Sequence, residues 1–97
     1  MLEKELTTQE AREMYEAICS LQTAEECGKF MRDLCTLSEL RSMIERLQVV
    51  KRVAAQEPYR SIASATGAST ATITRVAHWL NHGTGGYPLV LERMKQK

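Results

Sequence analysis

The chain has 97 residues, of which 43% are hydrophobic and 26% are charged, and its formal net charge at pH 7 is +1. This size and composition predict one folded domain and exclude a disordered chain, and no apolar stretch reaches the ~18 residues of a membrane-spanning helix. The three cysteines lack the spacing of a disulfide framework or a zinc site. The N-terminus is charged and does not resemble a signal peptide, so we predict a cytoplasmic protein with no membrane contact.

The first half of the chain repeats one helix-start pattern, a threonine three residues before a glutamate. In such a capping box each side chain pairs with a backbone N–H that the first helical turn leaves free. Apolar residues then recur at spacings of three and four, which predicts helices over about residues 8–21, after residue 23, and over about residues 38–55. The pairs are Thr7 with Glu10, Thr23 with Glu26, and Thr36 with Glu39.

A short helix is predicted from about Pro58 to Ala65, with Ile62 and Ala63 facing inward, because proline favours the first turn of a helix. Gly67 follows, and glycine most readily takes the left-handed conformation that ends a helix.

The next stretch, TGASTATITRVAHWL at residues 66–80, is rich in threonine and by propensity alone could form a strand. A strand would place apolar Ile73 and charged Arg75 on one face, whereas a helix separates apolar from polar side chains. The helix is therefore favoured, with Ser69 or Thr70 as its cap and the glycines of residues 83–86 at its end. Its inner face would hold Ile73, Val76, Ala77 and Leu80, and its outer face Ala71, Thr74, Arg75 and His78.

A last helix is predicted from about Pro88 to the C-terminus, after a flexible link at residues 83–87. Its apolar residues, expected to be partly buried, are Leu89, Val90, Leu91 and Met94. The fold class is therefore all-α with six helices.

The two short helices around Gly67 fit a helix-turn-helix of about residues 58–81, whose second helix would lie in the DNA major groove. Small outer residues let that helix approach the bases, and threonine offers a methyl group to thymine and a hydroxyl to a base or phosphate. We expect base or phosphate contacts from Ser69, Thr70, Ala71, Thr72 and Thr74, with Arg60, Arg75 and His78 anchoring the DNA backbone.

Charge is distributed unevenly along the chain. Residues 1–40 carry four basic and nine acidic side chains, a net charge of −5, whereas residues 41–97 carry nine basic and three acidic ones, a net charge of +6. A basic segment attracts polyanions, so the second half is the one expected to meet DNA. Taken alone, the charge pattern is equally compatible with chance segregation on a solvated surface.

The run Ala71–Arg75, Ala-Thr-Ile-Thr-Arg after a Gly-Ala turn, resembles the recognition helix of the Trp repressor superfamily. The stretch LCTLSELRSMIERLQVVKRVAAQE is similar in pattern to that superfamily's central helix, and the wider resemblance is to the Trp-repressor-like YerC/YecD family, best over residues 34–81. The resemblance implies one Trp-repressor-like domain over residues 1–97, assembled as an intertwined homodimer that binds operator DNA as a transcriptional repressor.

The resemblance also implies a corepressor site, in which Arg46 and Arg75 would flank a tryptophan and Thr36 would contact it. The chain departs from the repressor's pattern at Val76, where the repressor has glycine, and at Trp79, where a small serine is expected. The valine would project into the space that the indole uses, and Trp79 replaces a serine that helps to hold the ligand's ammonium group. Both departures argue against tryptophan as corepressor and leave any effector open. Arg46 and Arg75 have an alternative role as surface or DNA-facing cations, and Trp79 has one in packing.

Two other function classes fit the sequence less well. A helical protein–protein interaction module would use the same apolar stripes without the salt dependence of DNA binding. An enzyme is not expected, because no activated nucleophile, glycine-rich phosphate loop or carboxylate cluster is evident. His78 and His82 lie one helical turn apart with no third metal ligand nearby, so we predict neither a metal nor a cofactor.

Overall fold

A computed structural model of the protein describes residues 2–95, which form six α-helices, a 3-10 helix at Lys4–Leu6 and no strand. The all-α prediction is therefore confirmed. No described helix is both long enough and apolar enough to cross a membrane. The chain divides into two compact units, Met1–Leu40 and Arg41–Lys97. The helices are α1 (Gln9–Cys19), α2 (Ala24–Leu34), α3 (Leu37–Ala54), α4 (Tyr59–Thr66), α5 (Thr70–His82) and α6 (Gly86–Lys95).

Helix α1 begins one residue later than its predicted capping box. Thr8 is the cap, since its Oγ1 accepts a hydrogen bond from the Ala11 backbone N–H at 3.1 Å. Thr7 instead donates its hydroxyl to the carbonyl of Lys4 at 3.1 Å and so closes the 3-10 helix. The predicted pairing of Thr7 with Glu10 is wrong because the preceding turn already uses Thr7.

The capping threonines of α2 and α3 are those predicted. Thr23 Oγ1 accepts from the Glu26 N–H at 3.1 Å, although the Glu26 carboxylate accepts from Gln22 and not from Thr23. Thr36 and Glu39 form the complete reciprocal box, with bonds of 2.7 Å to the carboxylate and 3.1 Å to the hydroxyl. The start of α3 therefore satisfies two otherwise free N–H groups.

The apolar stripes of α1 and α2 are only partly covered, since Cys27, Phe30 and Met31 of α2 are half-buried. Neither helix has a buried residue among those described. Met14 and Ile18 of α1 are 41% and 37% exposed, and Leu34 at the end of α2 is 50% exposed. Helices with one apolar face normally bury it, so the covering of these two faces is incomplete among the described residues.

The second unit contains the packed core. Val49 and Val50 of α3, Ile62 of α4 and Ile73 of α5 are fully buried, and Val76 is 3% exposed. The inward face predicted for α5 is confirmed. Packing against this core holds α5 with one face inside and the opposite face in solvent.

Helix α6 begins at Gly86, so Gly86 and Tyr87 belong to the helix and the predicted link is shorter by two residues. Pro88 is tolerated because it lies in the first turn, where a backbone N–H has no intrahelical partner.

The apolar residues of α6 are less buried than predicted. Leu89 and Val90 are 50% and 47% exposed, and Met94 is 41% exposed, whereas Leu91 packs against the core. The predicted continuation of this helix past Lys95 lies outside the described residues.

Candidate nucleic-acid interface

A hydrogen-bonded turn joins α4 to α5. Gly67 is left-handed, with φ 77° and ψ 0°, and its N–H donates to the carbonyl of Ala63 at 2.9 Å. The Thr66 hydroxyl donates to the carbonyl of Ile62 at 2.7 Å and accepts from the N–H of Ala68 at 3.2 Å. Ala68 is only 4% exposed. The turn therefore fixes the direction in which α5 leaves α4, as a helix-turn-helix requires.

The first turn of α5 is capped by Ser69. Its Oγ accepts from the Thr72 backbone N–H at 3.1 Å and donates to Thr72 Oγ1, also at 3.1 Å. Serine at this position satisfies one N–H that the helix leaves free. The cap also fixes the side chain of Thr72, while Thr70 and Ala71 are exposed beside it.

The outer face of α5 is polar, and its residues toward the N-terminal end of the helix, Ala71 and Thr74, are small. Ala71, Thr74, Arg75 and His78 are all exposed and follow the spacing of one helical face. The helix has 13 residues, which gives a length of ~20 Å. A helix with side chains is ~10–12 Å across and the DNA major groove is ~12 Å wide, so this face fits the groove only where its side chains are small.

Thr72 lies on the flank of α5 and not at the centre of the outer face. Its side chain is half-buried and lines a hollow of about 250 Å³ between α3, α5 and α6. The hollow is lined by Arg46, Thr72, Arg75, Val76, Trp79 and Tyr87.

This hollow brings together Arg46, Arg75, Val76 and Trp79, four of the five residues assigned to a ligand site from the sequence. The fifth, Thr36, belongs to the first unit and caps α3. Tyr87 also lines the hollow, and no signal in the sequence pointed to it, because it fell in a predicted loop.

The arginines near α5 have no carboxylate partner among residues 2–95, as is true of most cations in that range. Within residues 2–95, the ion pairs are Arg12 with Glu16, Lys29 with Glu25, and Arg52 with Glu57. Arg46, Arg60 and Arg75 therefore carry free guanidinium groups on the exposed surface of the second unit. Unpaired arginines beside a helix with small outer residues suit the binding of a phosphate backbone.

The two histidines of α5 lie together at its C-terminal end. The ring centroids of His78 and His82 are 5.2 Å apart, and among the residues that the structure describes no further metal-ligating side chain joins them to form a set of three. Neutral or charged, these imidazoles can donate hydrogen bonds to phosphate oxygens.

Comparison with known proteins places the chain in a family. The Trp repressor protein family matches residues 1–95. The uncharacterized protein YerC of Bacillus subtilis (strain 168) is 41% identical over 91 residues, which cover 94% of this chain and 88% of YerC.

Two crystal structures have the same fold. A TrpR-like protein from Eubacterium eligens gives a TM-score of 0.92 at 41% identity, covering 96% of each chain. A protein from Staphylococcus aureus also gives 0.92, at 39% identity over 100% of this chain and 97% of its own. The chain therefore belongs to the Trp repressor protein family.

Proposed function

We propose that the protein is a transcriptional regulator that binds operator DNA through α4 and α5, with α5 in the major groove. The observation that carries this proposal is the outer face of α5, where small Ala71 and Thr74 are exposed and the opposite face is buried. Small side chains let the helix approach the base edges, and the buried face holds the helix rigidly while it does so. Membership of a repressor family supports the same function.

The contacts with DNA follow from the positions of the side chains. Ala71 and Thr74 offer methyl groups to thymine, and Ser69 and Thr70 lie at the N-terminal end of α5, where a recognition helix meets base edges. Thr72 lies on the flank, which suits a phosphate. We assign backbone contacts to the exposed side chains of Arg60, Arg75 and His78.

We propose that the active form is a homodimer. The partly exposed apolar faces of α1 and α2 support this, as does Ile44 of α3, which is 62% exposed. A second copy would cover such surface and gain about 25 cal/mol for each Å² of apolar area buried. Two-fold symmetry would then present two recognition helices to half-sites ~34 Å apart in a pseudo-palindromic operator.

We propose that DNA binding does not require tryptophan. Val76 is almost fully buried and lines the hollow with a branched side chain, and the indole of Trp79 stands at its wall. Ligand pockets usually measure ~300–1,000 Å³ and bury ~70–90% of the ligand. This hollow is smaller, at about 250 Å³, and its Arg46, Arg75 and Trp79 are exposed.

Selection of sites from random duplexes, followed by fluorescence polarisation on the enriched site, tests the function. We expect an enriched sequence and a log affinity that falls linearly with log salt, by about 0.9 for each phosphate contacted. Ala71→Glu places a carboxylate against base edges and phosphates, so it should weaken binding by about 10- to 100-fold.

Gln22→Glu is the matched control, since it adds the same charge to the exposed loop between α1 and α2 and should leave affinity unchanged. If no sequence is enriched and no salt-dependent binding is found, DNA binding is excluded and a helical protein–protein interaction module becomes the better hypothesis.

A further inference from the structure

The hollow beside α5 is built from three helices that are distant in the chain. Arg46 comes from α3, Thr72 and Arg75 from α5, and Tyr87 from α6. The hollow lies on the flank of the proposed recognition helix, beside the face that carries Ala71. A helix in the major groove has a sugar-phosphate strand on each flank, so side chains at this place face the DNA backbone and not the bases.

The lining of the hollow combines two arginines with the hydroxyl of one threonine. Neither Arg46 nor Arg75 has a carboxylate partner among residues 2–95. Thr72 Oγ1 lies 3.1 Å from Ser69 Oγ, and its hydroxyl can both donate and accept, so it adds a neutral donor to the hollow. Two guanidinium groups and one hydroxyl in a small, open hollow match the oxygens of a phosphate group, which arginine binds in a bidentate manner.

The size of the hollow also favours a small anionic group. At about 250 Å³ it is below the usual range for pockets that enclose a drug-sized ligand, and the nearly buried side chain of Val76 limits its depth. A single phosphate needs no enclosed cavity, because its charged oxygens gain from donors at an open surface while the rest of the nucleotide remains in solvent.

We propose that this hollow, formed by Arg46, Thr72 and Arg75, is a clamp for one phosphate of the DNA backbone. The inference rests on the proposed DNA-binding function and adds Arg46, a residue of α3 outside the helix-turn-helix, to the DNA contacts. A contact from α3 fixes the angle of α5 in the groove, since the phosphate is then held between two helices.

The test compares the salt dependence of DNA affinity for the wild-type protein, Arg46→Gln and Arg46→Lys. Arg46→Gln removes one phosphate contact, so the slope of log affinity against log salt should fall by about 0.9 per protomer, or about 1.8 for a homodimer. Its affinity should fall about three- to tenfold for all sequences alike. Arg46→Lys should keep the slope, because the charge remains.

Arg93→Gln is the matched control, an exposed arginine near the end of α6 that does not line the hollow. It should retain the wild-type slope. An Arg46→Gln slope equal to that of the wild type would overturn the clamp while leaving DNA binding intact. Failure of the wild type to bind any duplex would overturn both proposals. Circular dichroism of each variant checks that the fold is retained.

A free phosphate ion offers the same oxygens as the DNA backbone, and the fluorescence of Trp79 can measure its binding. Trp79 is the single tryptophan of the chain and lines the hollow, so its fluorescence reports occupancy. We expect no saturable change with inorganic phosphate below ~1 mM, because one phosphate at an exposed site gains only a few charge-assisted bonds. Saturable binding that Arg46→Gln abolishes would make this a site for a free anion. Calorimetry with tryptophan should show no micromolar binding, and such binding would also overturn the clamp.

Discussion

Glu39, at the start of α3, shows how two neighbouring side chains fix one helix end. The Thr36 backbone N–H donates to its carboxylate at 2.7 Å, and its own N–H donates to Thr36 Oγ1 at 3.1 Å. The backbone hydrogen bond, and after it the bond with the Thr36 side chain, lower the pKa of Glu39 below its usual value. The negative charge is also favoured by the dipole of the helix N-terminus.

This pKa shift predicts a pH dependence of stability. Because the pKa is lower in the folded than in the unfolded chain, Glu39 contributes stability above its unfolded pKa, and the contribution is lost as pH falls through the folded pKa. Below the ordinary glutamate pKa of about 4.3, the unfolding free energy of the wild type should therefore fall more steeply than that of Glu39→Gln.

Urea denaturation at a series of pH values measures this difference. Glu92→Gln removes an exposed carboxylate of α6. Its unfolding free energy should fall with decreasing pH as steeply as that of the wild type. Equal steepness in the wild type and in Glu39→Gln would contradict the prediction.

The N-terminal caps of α1 and α3 show what residue spacing alone can and cannot predict. The Thr-x-x-Glu spacing correctly predicted the box at Thr36, but it chose Thr7 where Thr8 is the cap. Thr8 has Ala11 and not a glutamate three residues later, so the pattern pointed to Thr7, and only the 3-10 turn before the two threonines decides which one caps the helix.

At the scale of the element, α3 ends in a Schellman motif that the sequence gives no reason to expect. Gln56 is left-handed, with φ 65°, and its N–H donates to the carbonyl of Val53 at 3.0 Å. The Glu57 N–H donates to the carbonyl of Arg52 at 3.1 Å, and the side chains of these two residues form an ion pair at 3.0 Å. Glycine is the usual residue at the left-handed position of this motif.

We therefore expect Gln56→Gly to raise the unfolding free energy by about 1 kcal/mol, because a side chain in the left-handed region is strained. Gly67→Ala is the matched opposite change. It places a Cβ at φ 77° where no heavy atom lies within 4 Å. The unfolding free energy should therefore fall by about 1 kcal/mol, from backbone strain alone. Urea denaturation measures both variants, and a shift in the same direction for both would refute the argument.

At the scale of the whole molecule, the described residues leave much apolar surface uncovered. Ile44 is the most exposed large hydrophobic side chain, at 62%. In a monomer, a polar substitution at such a position changes stability by no more than ~0.5 kcal/mol. In the proposed homodimer the same substitution places a charge in a buried contact, which costs far more.

Ile44→Glu should therefore shift the protein from dimer to monomer at micromolar concentration, as measured by sedimentation equilibrium. Ser42→Glu adds the same charge nearly on the opposite side of α3 and should leave the dimer unchanged. A wild-type protein that sediments as a monomer would exclude the homodimer.

Sequence patterns were enough to predict the six helices, the glycine turn between α4 and α5, and the division of α5 into a core face and an outer face. These features depend on side chains within about four residues of one another, and capping, helical periodicity and left-handed glycine all act over that range.

Three features could be seen only in the packed helices: Thr72 and Tyr87 join Arg46 and Arg75 around one hollow, Thr72 lies on the flank of α5, and Leu89 and Val90 remain exposed. These facts depend on how α3, α5 and α6 pack around Val50, Ile73 and Val76, which lie far apart in the chain. Local signals carry no information on such packing, because the angle between two helices is set by the shapes of the side chains that meet.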